Sequence, residues 1–253
     1  ALVREEAPLA ERAHIMAAHP ESHIDLVEEV EPERGYAAID SDTVLSKGSV
    51  EAAYRGAGAA IAAVDAVMAG RVKNAFCATR PPGHHAEPTR AMGFCLFDNV
   101  AVAAYHALNA HGLDRVAIMD FDVHHGNGTQ AIFWDEGRVM YASTHQSPLY
   151  PGTGMPHERG TKGTIVNATL PPGAGSDAFR AAMNGTVLPA MESFDPDLVI
   201  VSAGFDADAR DPLANLELGP DDFAWATERL LDLADKTAGG RLVSVLEGGY
   251  DLE

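Results

Sequence analysis

Four short stretches of this chain carry side chains that could do chemistry together: R-P-P-G-H-H-A-E-P at 80–88, D-F-D-V-H-H-G-N-G at 120–128, A-G-F-D at 203–206 and E-G-G-Y at 247–250. Asp120, Asp122 and His124 are spaced i, i+2 and i+4, so an extended backbone would set all three on one face. Two carboxylates and an imidazole crowded together repel unless a cation sits among them. Asp206, at the end of another apolar run, completes a set of one His and two Asp ligands, Asp122, His124 and Asp206, with Asp120 left over. Three protein ligands and an open position is the pattern of a catalytic metal centre rather than a closed structural one. Zn2+ is favoured, and the oxygen-rich set also admits Fe2+ or Mn2+.

A metal-activated water needs a base, and imidazole titrates near neutrality. His84 and His85 sit in a loop stiffened by Pro81, Pro82 and Pro88, with Gly83 adding conformational freedom. One imidazole can take a proton and the other can hold or deliver one to a leaving amine. Different partners would tune the two apart, because a carboxylate raises an imidazole pKa more than a neutral amide does. Asp120 and Asn127 are candidates for those partners. Tyr250, after two glycines, can donate its O–H to a developing oxyanion. The combined chemistry is metal-assisted hydrolysis of an amide.

These groups need elements that deliver them to one place. Apolar runs at 74–79, 115–122, 138–144, 197–206 and 241–249 read as buried parallel strands, and 164–170 as a weaker, alternating one. Between them lie helical patterns: 49–69, ended by Gly70; 98–111, opened by Asp98-Asn99 and ended by Gly112; a helix capped by Ser176, its continuity challenged by Gly185 and Pro189; and one from Pro220 to Gly239-Gly240. The alternation predicts an α/β fold, a single domain with one open, mostly parallel sheet covered by helices on both faces. In such sheets ligands bind at the carboxyl ends of the strands, where all four stretches lie.

Composition narrows the partners. The chain has 253 residues, 46% of them hydrophobic, and no apolar run approaches the 18 residues of a membrane span. Its formal net charge of −19, from 37 Asp and Glu against 18 Lys and Arg, argues against a phosphate-backbone partner and suits cationic small molecules or basic peptides. No signal peptide opens the sequence, and two cysteines, Cys77 and Cys95, indicate a reducing, cytoplasmic compartment rather than a disulfide framework. G-x-S-x-G, S-x-x-K, P-loop and Rossmann patterns are missing, so serine hydrolysis and nucleotide binding are disfavoured.

R-P-P-G-H-H-A, G-F-C-L-F-D-N, D-F-D-V-H-H-G-N-G-T, Y-P-G-T-G, S-A-G-F-D-A and E-G-G-Y-D occur in one order over roughly residues 75–251. In these motifs the chain resembles the histone deacetylase, acetylpolyamine amidohydrolase and acetoin-utilisation superfamily, in its class II-like branch. The resemblance implies an arginase/deacetylase-like fold, zinc ligands Asp122, His124 and Asp206, and the pairs His84 with Asp120 and His85 with Asn127. It implies that Tyr250 stabilises the oxyanion, that Gly93 and Phe94 form the mouth and one wall of an acyl-lysine tunnel, and that Tyr150 stands opposite. It also implies a structural K+ or Na+ held by the backbone carbonyls of Asp120, Asp122 and His124 with Ser143 and Thr144.

The substrates so implied are acetyl-lysine side chains or acetylpolyamines. A metal-dependent acyl-ligand sensor without turnover, and an arginase-type two-manganese hydrolase, are the competing readings. The second would need a richer set of Asp ligands. His125 reads as a structural neighbour facing away from Asp122 and His124, and Cys95 as a small buried hydrophobe rather than a nucleophile. The ends depart from the pattern: His19-Pro20-Glu21 fits the family's opening segment poorly. The single deacetylase-like domain over residues 1–253 is therefore expected to lack an N-terminal strand and a C-terminal helix.

Overall fold

Strands buried on both faces are mainly apolar, and in the central strands the buried polar residues gather toward the carboxyl ends: Asp120, Ser143 to Gln146 and Ser202. In the computed structural model, which describes residues 2–252, β4 (Val116–Asp120), β5 (Val139–Gln146) and β7 (Leu198–Ala203) are buried at every residue. With β3 (Asn74–Cys77), β6 (Ile165–Leu170) and β8 (Leu242–Leu246) they form a six-stranded sheet of order β3-β8-β7-β4-β5-β6. All five pairings are parallel.

The two sheet faces carry separate cores. Val116 and Ile118 of β4, with Leu198 and Ile200 of β7, face α3 (Ser49–Met68) and α4 (Asn99–Ala110). Ala117, Met119, Val199 and Val201 face the other side, against the run 176–194 and α8 (Pro220–Thr237). This period-two division of one strand between two helical layers is what a doubly covered sheet requires.

Chain order makes the site. From β4 the chain moves outward to β5 and β6, then returns to place β7 on the other side of β4 and β8 beyond it. The connections leaving β4 and β7 therefore diverge, and a crevice opens between their carboxyl ends.

Several details differ from the sequence pattern. The 164–170 segment is a fully registered parallel strand, Tyr141 pairing with Ile165 and Gln146 with Leu170, and four of its six residues are buried. Ser176 is not a cap: Gly175 precedes the helix, and the Ser176 hydroxyl donates to Asp222 Oδ2 at 2.7 Å. Gly185 and Pro189 do not break the helical run, because a wider π-turn at Met183–Val187 joins α6 (Ser176–Ala182) to α7 (Leu188–Phe194), which begins with Pro189 in its first turn. Asp98 does cap α4, its Oδ1 accepting the Ala101 N–H at 2.8 Å.

Five elements carried no prior expectation: helices α1 (Arg12–Ile15) and α2 (Glu21–Val30), strands β1 (Tyr36–Ala38) and β2 (Val44–Ser46) of a hairpin, and the short helix α5 (Asn127–Ile132). The last starts inside the G-N-G segment and carries Asn127 in its first turn.

Candidate active site

Asp120 ends β4 and the backbone turns at once, so Asp122 and His124 do not share a face by strand alternation. Side-chain carboxylates hold the turn instead. Asp120 Oδ1 accepts the Asp122 N–H (3.1 Å), Asp122 Oδ1 the His124 N–H (2.9 Å) and Asp206 Oδ1 the Val123 N–H (2.9 Å). Gly248, following β8, donates its N–H to Asp122 Oδ2 at 2.8 Å. His124 Nδ1 then lies 3.2 Å from Asp122 Oδ1 and 3.1 Å from Asp206 Oδ2. One ligand atom from each residue lies within 4.8 Å of the others.

The donor set fits a divalent cation. Asp122 and Asp206 are at most 1% exposed, and two such carboxylates cannot share a dry pocket without positive charge. Burial and the Asp122 charge push Asp206 up to about 7. Burial also opposes the charged form of His124, but the two carboxylates outweigh it and lift the imidazole to about 10. A cation would relieve the same charge. Gly248 is required at this point, since a Cβ there would come 2.1 Å from Asp206 Oδ2 and 2.7 Å from Asp122 Oδ2.

The histidine pair stands beside this set. His84 Nδ1–H donates to Asp120 Oδ2 at 2.9 Å, and His85 Nδ1–H donates to Asn127 Oδ1 at 2.8 Å. The two rings are 4.0 Å apart. His84 Nε2 faces Asp122 Oδ1 at 3.8 Å. Burial works against a charge on His84, yet Asp120, Asp122 and Glu247 lift its pKa well above the usual value. His85 has an amide partner, and burial together with the His84 charge holds its pKa well below. The divergence expected from carboxylate and amide partners is present.

Aromatic side chains stand around the histidines and the cluster. Tyr150 sits edge-on to His85 at 5.2 Å and to His124 at 6.2 Å between ring centroids. Phe94 packs against Tyr250 at 5.8 Å, and the Arg80 guanidinium lies 5.6 Å over the Tyr250 ring. Phe94 and Tyr150 remain 40% and 39% exposed. Gly93 takes φ +57, and a Cβ on it would strike the His85 ring at 2.4 Å. Burial, then Asp122 and Asp206, raise the Tyr250 pKa, so its O–H is retained. His125 faces away as expected, its ring nitrogens meeting Thr153 Oγ1 and Gln130 Oε1. Ser143 pairs in register with Asp120, and Ser143 and Thr144 are both buried.

Three acids to which the sequence reading gave no part in the site hold these residues in place. Glu247, fully buried, accepts the N–H groups of Gly83 (2.6 Å) and His84 (3.1 Å) on Oε2 and the Ser202 hydroxyl (3.0 Å) on Oε1. Arg80 donates to its backbone carbonyl. Glu87 accepts the Asn127 side-chain N–H at 2.8 Å, which orients the amide so that its oxygen meets His85. Asp98 accepts the Thr129 hydroxyl at 2.7 Å, while its N–H donates to His19 Nε2 at 2.9 Å. The one signal available was an acid, Glu247, ending an otherwise apolar strand. His19-Pro20-Glu21 is also integrated: Pro20 precedes α2, and His19 links it to the start of α4.

Comparison with known proteins agrees. The chain is 45% identical over 249 residues to the histone deacetylase-like amidohydrolase of Pseudomonas aeruginosa, covering 96% of this chain and 65% of the relative. It is 48% identical over 205 residues to histone deacetylase 10, chloroplastic, of Oryza sativa subsp. japonica, covering 78% of this chain and 46% of the relative. This chain thus spans less than two thirds of the length of both relatives. Among solved structures, the crystal structure of the HDA15 HD domain superposes with a TM-score of 0.91 at 40% identity, over 98% of this chain and 71% of that one. The family model described as the histone deacetylase domain matches residues 2–253, N-terminal segment included. The fold, the paired histidines beside an Asp-His-Asp cluster and these matches make this chain a member of the histone deacetylase domain family.

Proposed function

We propose that this chain is the catalytic domain of a zinc-dependent amidohydrolase that removes acetyl or short acyl groups from the amine nitrogen of acetyl-lysine or of acetylpolyamines. The observation that carries this reading is the pairing of His84 with Asp120 and of His85 with Asn127, directly beside the Asp122, His124 and Asp206 cluster. Asp122, His124 and Asp206 would hold the ion. Zn2+ matches the one-His, two-Asp set, with Fe2+ or Mn2+ as alternatives in the same site. A bound ion there supplies Lewis acidity, which polarises an amide carbonyl and lowers the pKa of water toward neutrality.

The chain's own residues handle protons and orientation. His85 is the neutral imidazole: Asn127 occupies its Nδ1–H, leaving Nε2 as the lone pair available to take a proton from the attacking water. The same nitrogen can return that proton to the departing amine. His84, held cationic by Asp120, Asp122 and Glu247, provides positive charge beside the developing oxyanion and keeps His85 from protonating early. Tyr250 donates its O–H to that oxyanion. Phe94 and Tyr150 flank an extended acyl-amine chain, and Gly93 leaves the space that this chain and the His85 ring require.

We assign the structural K+ or Na+ to the carbonyls of Asp120, Asp122 and His124 with Ser143 and Thr144. The register pairing of Asp120 with Ser143 supports it by bringing these strand ends together. The single catalytic domain spans residues 1–253. A reducing, cytoplasmic setting suits the free, buried thiols of Cys77 and Cys95. Among the described residues no helix is long and apolar enough to cross a membrane. The surplus of acidic groups favours a cationic substrate over nucleic acid.

The test is hydrolysis of acetyl-lysine peptides, acetylputrescine and acetylspermidine by the zinc-loaded protein, with a chelated control. Turnover abolished by chelation and restored by zinc is the expected result, and the preferred substrate identifies the branch. Stoichiometric zinc without turnover on any of them would replace this reading with that of an acyl-ligand binding protein.

A further inference from the structure

A second group of metal-ligating side chains lies at the opposite edge of the sheet. Helices α3 and α4 lead into β3 and β4, so both run against the strands and end at their amino-terminal edge, away from the His84-His85 loop. There Asp65, in the last turns of α3, meets His106, in the penultimate turn of α4, and His111, the residue at which α4 stops. Asp65 Oδ1 lies 2.7 Å from His106 Nε2 and 2.7 Å from His111 Nε2. One ligand atom from each lies within 4.8 Å of the others.

We propose that Asp65, His106 and His111 form a binding site for a divalent transition cation of the zinc type, with water completing the coordination. The donor set is sound: two neutral imidazoles and one carboxylate are ordinary zinc ligands. All three come from the ends of packed helices rather than a flexible loop, so little ordering is needed on binding. On a regular helix, residues five apart diverge by roughly 140°. His111 can join His106 only because the helix ends there. The site is reachable: the side chains of His106 and His111 are 12% and 25% exposed and that of Asp65 44%.

Geometry requires a small adjustment. Tetrahedral bonds of about 2.0–2.1 Å separate neighbouring ligand atoms by roughly 3.3 Å, so each imidazole must withdraw from the carboxylate by about 0.6 Å. Rotation about the Asp65 side chain, the most exposed of the three, supplies this. On binding, each Nε2 would present its lone pair to the cation with the ring proton carried on Nδ1, so the cation bridges α3 and α4 in place of the two hydrogen bonds. His14 of α1 packs edge-on to His106 at 5.6 Å between centroids and steadies that ring.

The experiment is calorimetric titration of Zn2+ into protein that already carries one equivalent, with the bound metal counted after gel filtration. The intact chain is expected to take up a second equivalent and the His106→Gln/His111→Gln double variant none, while Asp206→Asn, which disrupts the other cluster, is titrated from the metal-free state and is expected to take up the one equivalent of the helix site. Asp65→Asn, which retains an oxygen acceptor for an imidazole N–H, is expected to weaken the uptake at least tenfold and serves if the double variant folds poorly. Equal zinc uptake by the intact chain and by the His106→Gln/His111→Gln and Asp65→Asn variants would overturn the site, as would an intact chain that takes up no second equivalent at millimolar zinc. The readout is bound metal, so failure of the proposed hydrolysis would leave it unaffected.

Discussion

The buried carboxylate of Glu247 accepts the backbone N–H of His84 at 3.1 Å, although 163 residues separate them. One oxygen of this acid, at the end of β8, therefore fixes the loop that carries both imidazoles, and its charge adds to that of Asp120 in raising His84. In the proposed reaction Glu247 is a positioning residue, acting through the loop.

Removing it should separate structure from charge. Glu247→Ala leaves three buried donors, two backbone N–H groups and the Ser202 hydroxyl, without their acceptor, at about 1–3 kcal/mol each. Thermal denaturation should show a melting temperature lower by roughly 10 °C or more. Glu247→Gln keeps an oxygen for the N–H groups and should melt close to the parent while its His84 loses a neighbouring charge. Equal melting of Ala, Gln and parent proteins would contradict the role assigned to the carboxylate.

Asn127→Asp should move the pH profile in a defined direction. In the proposed reaction His85 acts as the neutral form, so activity is expected to fall as pH drops through its pKa. A carboxylate at 127 favours the imidazolium and raises that pKa. The acid limb of kcat/KM should therefore shift to higher pH, with a larger loss at pH 6 than at pH 8. A limb that stays in place would remove His85 from the role of base.

Tyr250→Phe should retain the metal and lower kcat by on the order of 10²–10³, the cost of losing one oxyanion donor. Metal content and turnover are measured on the same sample. Unaltered turnover would show that the hydroxyl does not meet the oxyanion.

Asp98 links site and stability. Burial, reinforced by the charge of Glu247, raises its carboxyl from 3.8 to about 8. Between those values the folded protein binds a proton that the unfolded chain has released, so this group lowers stability as pH rises from about 4 to 8. Asp98→Asn holds the neutral form throughout. Urea midpoints measured across that window should decline less with pH in the variant than in the parent. Parallel curves would mean that the group does not titrate as its surroundings dictate.

The sequence by itself determined which residues could react and which element delivers each. The buried strands are mainly apolar, and the ionisable groups at their carboxyl ends stand out: Asp120 ending β4 with Asp122 just beyond it, Asp206 after β7, Tyr250 after β8 and the histidines after β3. It also left the partners of His84 and His85 open on chemistry alone, naming only Asp120 and Asn127 as candidates. Who meets whom was decided by tertiary structure. Strand order brings β7 beside β4 although β5 and β6 lie between them in the chain, and this places Asp206 against Asp122. The pairing of β8 with β3 brings Glu247 beneath the His84 loop, and the packing of α3 on α4 brings Asp65 to His106 and His111. Local pattern is blind to such contacts, because apolarity and periodicity record only that a segment is buried. Which neighbour buries it depends on packing between segments distant in the chain.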